Sequence, residues 1–206
     1  MRVIVVTGVL GAGKSTAAEF FRTRGAFTLD LDDVAAKLLG HRTALLQRVA
    51  DRFGPDDVLL GDGKLDRPAL ARIAFATPEA ARKLNSIVHP AVTREIAVAI
   101  EQLRLMPEPP LALILEVSLL AEAPALGELA DIVLAIVAPE ALRISRAPGR
   151  GLSEAEATRR VARQASDAAR AELADVVIIN DGSSEAYHTA LETFWDDYAA
   201  PPGEGR

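Results

Sequence analysis

The chain has 206 residues, half of them apolar and a quarter charged, with a net charge of −6 and no cysteine. That is one domain's length with enough apolar material for a core, which excludes a disordered chain. The acidic balance argues against a general nucleic-acid binder, and the missing cysteine excludes disulfides, thiol catalysis and cysteine-based zinc sites.

No apolar run approaches the roughly 20 residues needed to span a bilayer. The first residues lack the charged-then-apolar pattern of a signal peptide, so a cytoplasmic enzyme is expected, with no membrane or nucleic-acid partner. A monomer is the simplest state, and oligomerisation stays open.

Residues 2–7 form a short β-branched apolar run and predict a buried strand. The run leads straight into Gly8-Val9-Leu10-Gly11-Ala12-Gly13-Lys14-Ser15-Thr16, and a helical pattern follows. This is G-x-x-x-x-G-K-[ST] between a strand and a helix, the context a phosphate-binding loop needs. Bare glycine backbone lets amide N–H groups converge on phosphate oxygens at a helix's positive end. In this reading Gly11, Ala12, Gly13, Lys14, Ser15 and Thr16 bind the polyphosphate of ATP. Lys14 would bridge the β- and γ-phosphates, and the Ser15 hydroxyl would ligate Mg²⁺.

Gly25 is placed to end the first helix. A second strand at 26–29 delivers Asp30-Leu31-Asp32-Asp33, followed by a helix over 34–39. In an open parallel sheet the C-terminal ends of strands face the ligand crevice, so this acidic cluster belongs near the phosphate loop. Helix capping is the competing role for Asp32 or Asp33, and the two roles are compatible.

The stretch 43–53 predicts an amphipathic helix, 54–67 a polar loop turning at Gly61-Asp62-Gly63, and 68–75 a helix with proline at an early position. Helical pattern resumes over 79–88, His89-Pro90 is expected to break it, and 91–104 is a further helix. Residues 40–104 therefore form a helical block, placed as a substrate-binding subdomain within a single domain of residues 1–206. His89 is open to two readings, a structural junction or a substrate contact.

Strands are predicted at 111–115 and 132–137, the first ending in Glu116. Arg143, Arg146 and Arg150 then follow among Pro148, Gly149 and Gly151, within a region 143–163 that suits a closing lid. An ordinary basic loop is the alternative. A last strand at 176–179 precedes a turn at Asn180 and a closing helix over 185–198, in which Phe194 and Trp195 read as core.

Taken together these segments resemble the dephospho-CoA kinase family along nearly the whole chain. Asp30-Leu31-Asp32 resembles its D-x-D, and Asp62-Gly63-Lys64-Leu65-Asp66-Arg67 its D-G-x-[IL]-x-R. Ile73 to Glu79 with Leu84-Asn85-Ser86-Ile87-Val88-His89-Pro90 resembles its most specific stretch. Leu119-Leu120-Ala121-Glu122, Gln164, Ala174-Asp175 and Ile178-Ile179-Asn180-Asp181-Gly182 resemble its later segments.

The resemblance implies a three-layer α/β/α P-loop kinase fold: a parallel five-stranded sheet with a helical substrate-binding insertion and a lid. It implies ATP-dependent phosphorylation of the ribose 3′-hydroxyl of dephospho-CoA, with ATP and Mg²⁺. Asp32 is then the base and Asp30 an outer Mg²⁺ ligand near the acceptor, two roles open to exchange. His89 and Glu122 lie by the acceptor, Arg143 with Arg146 or Arg150 in the lid, and Asn180 at the adenine end of ATP. The chain departs from the family's usual pattern at Val9, Ala36 and Ser118 and in its longer arginine segment. Competing expectations are another small-molecule or nucleotide kinase, or a catalytically impaired nucleotide-binding module. A GTP switch protein would need an N-K-x-D motif, which the sequence lacks.

Overall fold

Residues Val3 to Val6 of the first strand are almost completely buried. Burial on both faces requires the interior of a parallel sheet. The computed structural model, which describes residues 1–118, 120, 124–146 and 171–199, contains that sheet. Its strands are β1 (Arg2–Thr7), β2 (Phe27–Asp30), β3 (Ala112–Val117), β4 (Ile132–Val137) and β5 (Val176–Ile179), in the order β2-β3-β1-β4-β5, all parallel. The helices of the described residues are α1 (Lys14–Arg22), α2 (Leu31–Leu38), α3 (Ala44–Phe53), α4 (Pro55–Val58), α5 (Arg67–Ala74), α6 (Pro78–Arg104), α7 (Glu140–Ser145) and α8 (Ser184–Phe194). The chain divides into two compact units, Met1–Asp30 with Ile100–Arg206, and Leu31–Ala99. No helix among the described residues is long and apolar enough to cross a membrane.

In the first unit, Ile4, Val6, Ile114, Leu134 and Ile136 turn one sheet face toward Ala17, Ala18 and Phe21 of α1 and Leu191 and Phe194 of α8. Phe21 anchors this layer, with its ring centroid 5.7 Å from those of Phe194 and Trp195. The expected core role of Phe194 and Trp195 is met. Their helix differs in its end: α8 stops at Phe194 and the chain continues as a π turn over Trp195–Ala199. Gly25 adopts φ +90 just past α1, as its position requires.

Strand register is fixed by one device used twice. Asp131, the residue before β4, accepts the Val3 N–H with its carboxylate at 2.7 Å and donates its own N–H to the Val3 carbonyl at 2.8 Å. Asp175, the residue before β5, does the same with Val133 at 2.8 and 2.9 Å. The sequence writes this device as Ala130-Asp131-Ile132-Val133 and Ala174-Asp175-Val176-Val177. A slip of one residue would break both bonds and reverse every side chain of the strand. Asp131→Ala is expected to destabilise the protein by about 1–3 kcal/mol, because it leaves the buried Val3 amide unpaired. Urea unfolding checks this, and KM for ATP should not move, since the bond lies at the opposite end of β1 from the phosphate loop.

The second unit is helical and has its own core of Val49, Ala50, Val58, Leu70, Ala74 and Leu84. Thr43 caps α3 by accepting the Leu46 N–H at 3.1 Å, and Asp66 caps α5 by accepting the Ala69 N–H at 3.0 Å. Three expectations need correction here. The polar loop contains α4 and a bridge between Leu59 and Leu65, because Val58 supplies a buried anchor. The helix after β2 starts at Leu31, so Asp32 and Asp33 occupy its first turn rather than preceding it.

The largest difference is at His89-Pro90. There is no break; α6 runs for 27 residues with Pro90 inside. Proline removes one hydrogen bond and costs roughly 3 kcal/mol in a helix interior. Here Pro90 and Ser86, whose carbonyl loses its helical donor, are both exposed, so water can serve that carbonyl. Leu84, Val92, Ile96 and Ile100 are all buried at helical spacing across the proline, and that continuous stripe outweighs the local cost.

Candidate active site

The loop between β1 and α1 is shaped by its glycines. Gly11 and Gly13 have φ of +79 and +114, values that residues with a Cβ rarely adopt. A Cβ on Gly11 would lie 2.6 Å from the Arg143 carbonyl oxygen, and one on Gly13 would lie 2.5 Å from Asn180 Nδ2. One on Gly8 would collide with the Ile136 carbonyl oxygen. The Ala12 N–H donates to the Val9 carbonyl at 3.1 Å, which closes the turn. Lys14 Nζ donates to the Gly8 carbonyl at 2.7 Å and so folds over the loop.

The start of α1 has no side-chain cap. Its N-cap is Gly13, and its first turn holds no acidic residue. Helix N-termini carry unsatisfied N–H groups and a partial positive charge. An anion supplied from outside satisfies both. Ser15 and Thr16 are exposed at this end.

Three side chains from distant parts of the chain close on the outer side of the loop. Arg146, just after α7, donates to the Gly11 carbonyl at 3.2 Å and to Asn180 Oδ1 at 3.3 Å. Asn180, just after β5, donates its amide to the Ala12 carbonyl at 2.8 Å. One contact needs a donor and the other an acceptor, which fixes the orientation of this carboxamide. Tyr187 of α8 donates its phenol to the Gly13 carbonyl at 3.0 Å. Burial pushes the Tyr187 phenol well above its ordinary pKa, against a smaller opposite pull from Arg146, so it stays a donor through the neutral range. These groups line a cavity of ≈ 400 Å³ with Thr16, Gly182 and Ser184. That volume falls within the usual range of small-ligand sites.

At the same end of the sheet, Asp30 and Glu116 are register partners on β2 and β3. Glu116 also pairs with Val6 on β1, so both carboxylates project from the sheet face that carries α1. Asp30 is exposed and Glu116 half-buried.

The expected site residues fall into groups. Gly11, Gly13, Thr16, Arg146 and Asn180 line one cavity, with Lys14 on the loop beside it. Arg143 is buried in the last turn of α7, where its backbone backs onto Gly11. Asp32 is exposed in the first turn of α2, and His89 is half-buried within α6. Glu122, Arg150 and residues 147–163 of the expected lid lie outside the described residues. A second cavity of ≈ 360 Å³, between α3 and α6, holds none of the expected residues. Sequence reasoning missed Tyr187, which has no local signature: it reads as one more apolar position of an amphipathic helix.

A sequence model of the dephospho-CoA kinase family matches residues 2–186. A dephospho-CoA kinase of Corynebacterium diphtheriae is 38% identical over 200 residues, covering 97% of this chain and 98% of that protein. One from Frankia casuarinae is 37% identical over 97% of this chain and 85% of its own length. Among solved structures, TT1252 from Thermus thermophilus superposes with a TM-score of 0.76 at 33% identity, covering 96% of this chain and 97% of that one. The dephospho-CoA kinase of Campylobacter jejuni gives 0.69 at 25% identity, covering 96% of each chain. With a phosphate loop, a parallel sheet and this match over nearly all of its length, the chain belongs to the dephospho-CoA kinase family.

Proposed function

We propose that this protein transfers the γ-phosphoryl group of ATP to the ribose 3′-hydroxyl of dephospho-CoA, giving CoA and ADP. The observation that carries the reading is the uncapped, acid-free start of α1 beneath a glycine loop, with Lys14 folded over it. In this reading the β- and γ-phosphates lie against residues 11–16, and Lys14 leaves the Gly8 carbonyl to meet them. The nucleoside end occupies the cavity lined by Arg146, Asn180 and Tyr187.

The acceptor hydroxyl is too weakly acidic to ionise at neutral pH, so a carboxylate must take its proton as the new bond forms. We assign that role to Asp32. The 3′-oxygen forms its bond to the γ-phosphorus, the bond from that phosphorus to the bridging oxygen breaks, and ADP leaves with the electron pair. Lys14 and the arginines of 143–150 stabilise charge on the transferred group. We assign His89 of the helical unit, and Glu122 outside that unit, as contacts of the acceptor.

The donor set suits Mg²⁺. Among the described residues no three His, Cys, Asp or Glu side chains form a metal-holding group. Mg²⁺ needs no such cage, because it keeps waters and takes one or two carboxylates with phosphate oxygens. Ser15 and Asp30 would hold it, with Glu116 at Asp30's side. Held there, it would supply positive charge that offsets the charge of the transferring phosphoryl group. The same reading makes this a cytoplasmic enzyme acting on a small molecule.

The test is mass detection of CoA from dephospho-CoA and ATP·Mg²⁺. Adenosine, nucleoside monophosphates and shikimate serve as competing acceptors with ADP release followed. CoA formation with little turnover of the others is expected. ADP release with another acceptor alone, or tight ATP binding with no turnover at all, overturns the assignment.

A further inference from the structure

We propose that Tyr187 is a positioning residue of the phosphate cradle: its phenol fixes the peptide plane between Gly13 and Lys14, and so aims the Lys14 amide at the nucleotide's phosphates. The proposal rests on the reading of residues 11–16 as the ATP site.

A trans peptide is planar, with its C=O and N–H pointing in opposite directions. Holding a carbonyl outward therefore turns the next residue's N–H inward. The Gly13 carbonyl is held twice, by the Ala17 N–H at 3.0 Å and by the Tyr187 hydroxyl at 3.0 Å. The Ala12 carbonyl is held by Asn180, and the Gly11 carbonyl by Arg146. Three successive carbonyls are thus tied to α8, to the end of β5 and to the end of α7.

The loop needs this external hold because its glycines do not supply one. Gly13 has no side chain to restrict it and sits at φ +114. Glycine has the widest conformational range of any residue, so the peptides around it can rotate unless something outside resists.

Tyr187 differs from its two companions. Asn180 and Arg146 line the cavity as polar groups whose contacts a nucleotide can replace. Tyr187 is only 5% exposed and belongs to the same core as Phe21 and Leu191. A phenylalanine would fill that core equally well. The hydroxyl instead reaches the loop, where a Cβ on Gly13 would lie 3.2 Å from it. The ring is thus anchored in the core, and its hydroxyl transmits that rigidity to the loop. With burial keeping the phenol protonated, the contact persists across the pH range of assays.

Tyr187→Phe in the full chain is the test, read by direct binding and by steady-state kinetics. Kd and KM for ATP are expected to rise about 3- to 10-fold, the size of one neutral hydrogen bond. The affinity for adenosine, which has no phosphates, stays within twofold, as do kcat at saturating ATP and KM for dephospho-CoA. The ratio of wild type to variant is constant from pH 6 to 9. ATP binding within twofold of wild type overturns the proposal, as does an equal loss for adenosine, which would make Tyr187 a wall of the pocket. Lys14→Ala, measured alongside, separates the two levels. If it binds ATP as wild type does, the loop is not the phosphate site. If it loses ATP while Tyr187→Phe does not, only the role of Tyr187 falls.

Discussion

Lys14→Ala is expected to lower kcat/KM for ATP by at least about 10²- to 10³-fold while the protein stays folded. Lys14 is a cation in the first turn of α1, a helix end that is itself positive, that no side chain caps and whose first turn holds no acidic residue. A like charge at that end costs about 0.3–1 kcal/mol, and alanine is the best helix former. Phosphate oxygens at that end would add the counter-charge that favours a lysine there. Thermal scans with and without ATP·Mg²⁺ make the check. At 100 times Kd the wild type gains about 2.7 kcal/mol from the ligand, and the variant should gain far less. A variant with unaltered kcat/KM would remove Lys14 from the site.

Asp32→Asn is expected to lose most of its turnover, about 10²- to 10⁴-fold, with ATP binding retained. The substitution keeps the shape of the side chain and removes its charge and basicity. Asp32 and Asp33 both sit in the first turn of α2, so the helix keeps one favourable charge there. The stability cost is then about 0.3–1 kcal/mol, too little to mimic a catalytic loss. Asp30→Asn provides the contrast. Beside Glu116 at the sheet's edge, Asp30 should show itself as a raised Mg²⁺ requirement and only a small change in kcat at saturating metal. If the two variants exchange these phenotypes, the roles of the carboxylates exchange too. Wild-type turnover in Asp32→Asn removes it as the base.

The strands and the loop were legible in the sequence because their causes are local. Val3 to Val6, Leu113 to Leu115 and Val133 to Ile136 are continuous apolar runs, and such runs belong inside parallel sheets. Gly8 to Lys14 is legible because backbone approach to phosphate leaves few choices of residue. Pro90 misleads because the helix rule is also local, whereas the stripe of Leu84, Val92, Ile96 and Ile100 acts over the whole length of α6. Tyr187, and the contact of Arg146 with the loop, were hidden for a further reason. Their partners lie 174 and 135 residues away, and nothing in either neighbourhood encodes such a contact. Asp131 and Asp175 fall between these cases: the repeated Ala-Asp before a strand is visible, but its meaning as a register clamp needs the paired strand.

The strand order has a consequence for how the protein is made. β1 is the central strand, yet its neighbours β3 and β4 begin at Ala112 and Ile132, and β2 does not pair with it. A ribosome adding roughly 5–20 residues per second therefore displays the phosphate loop for several seconds before its strand has both partners. The groups that clasp the loop come later still, with Tyr187 among the last. A loop translated ahead of all its partners is thus completed only after them, and a nascent chain arrested before β4 should bind no nucleotide.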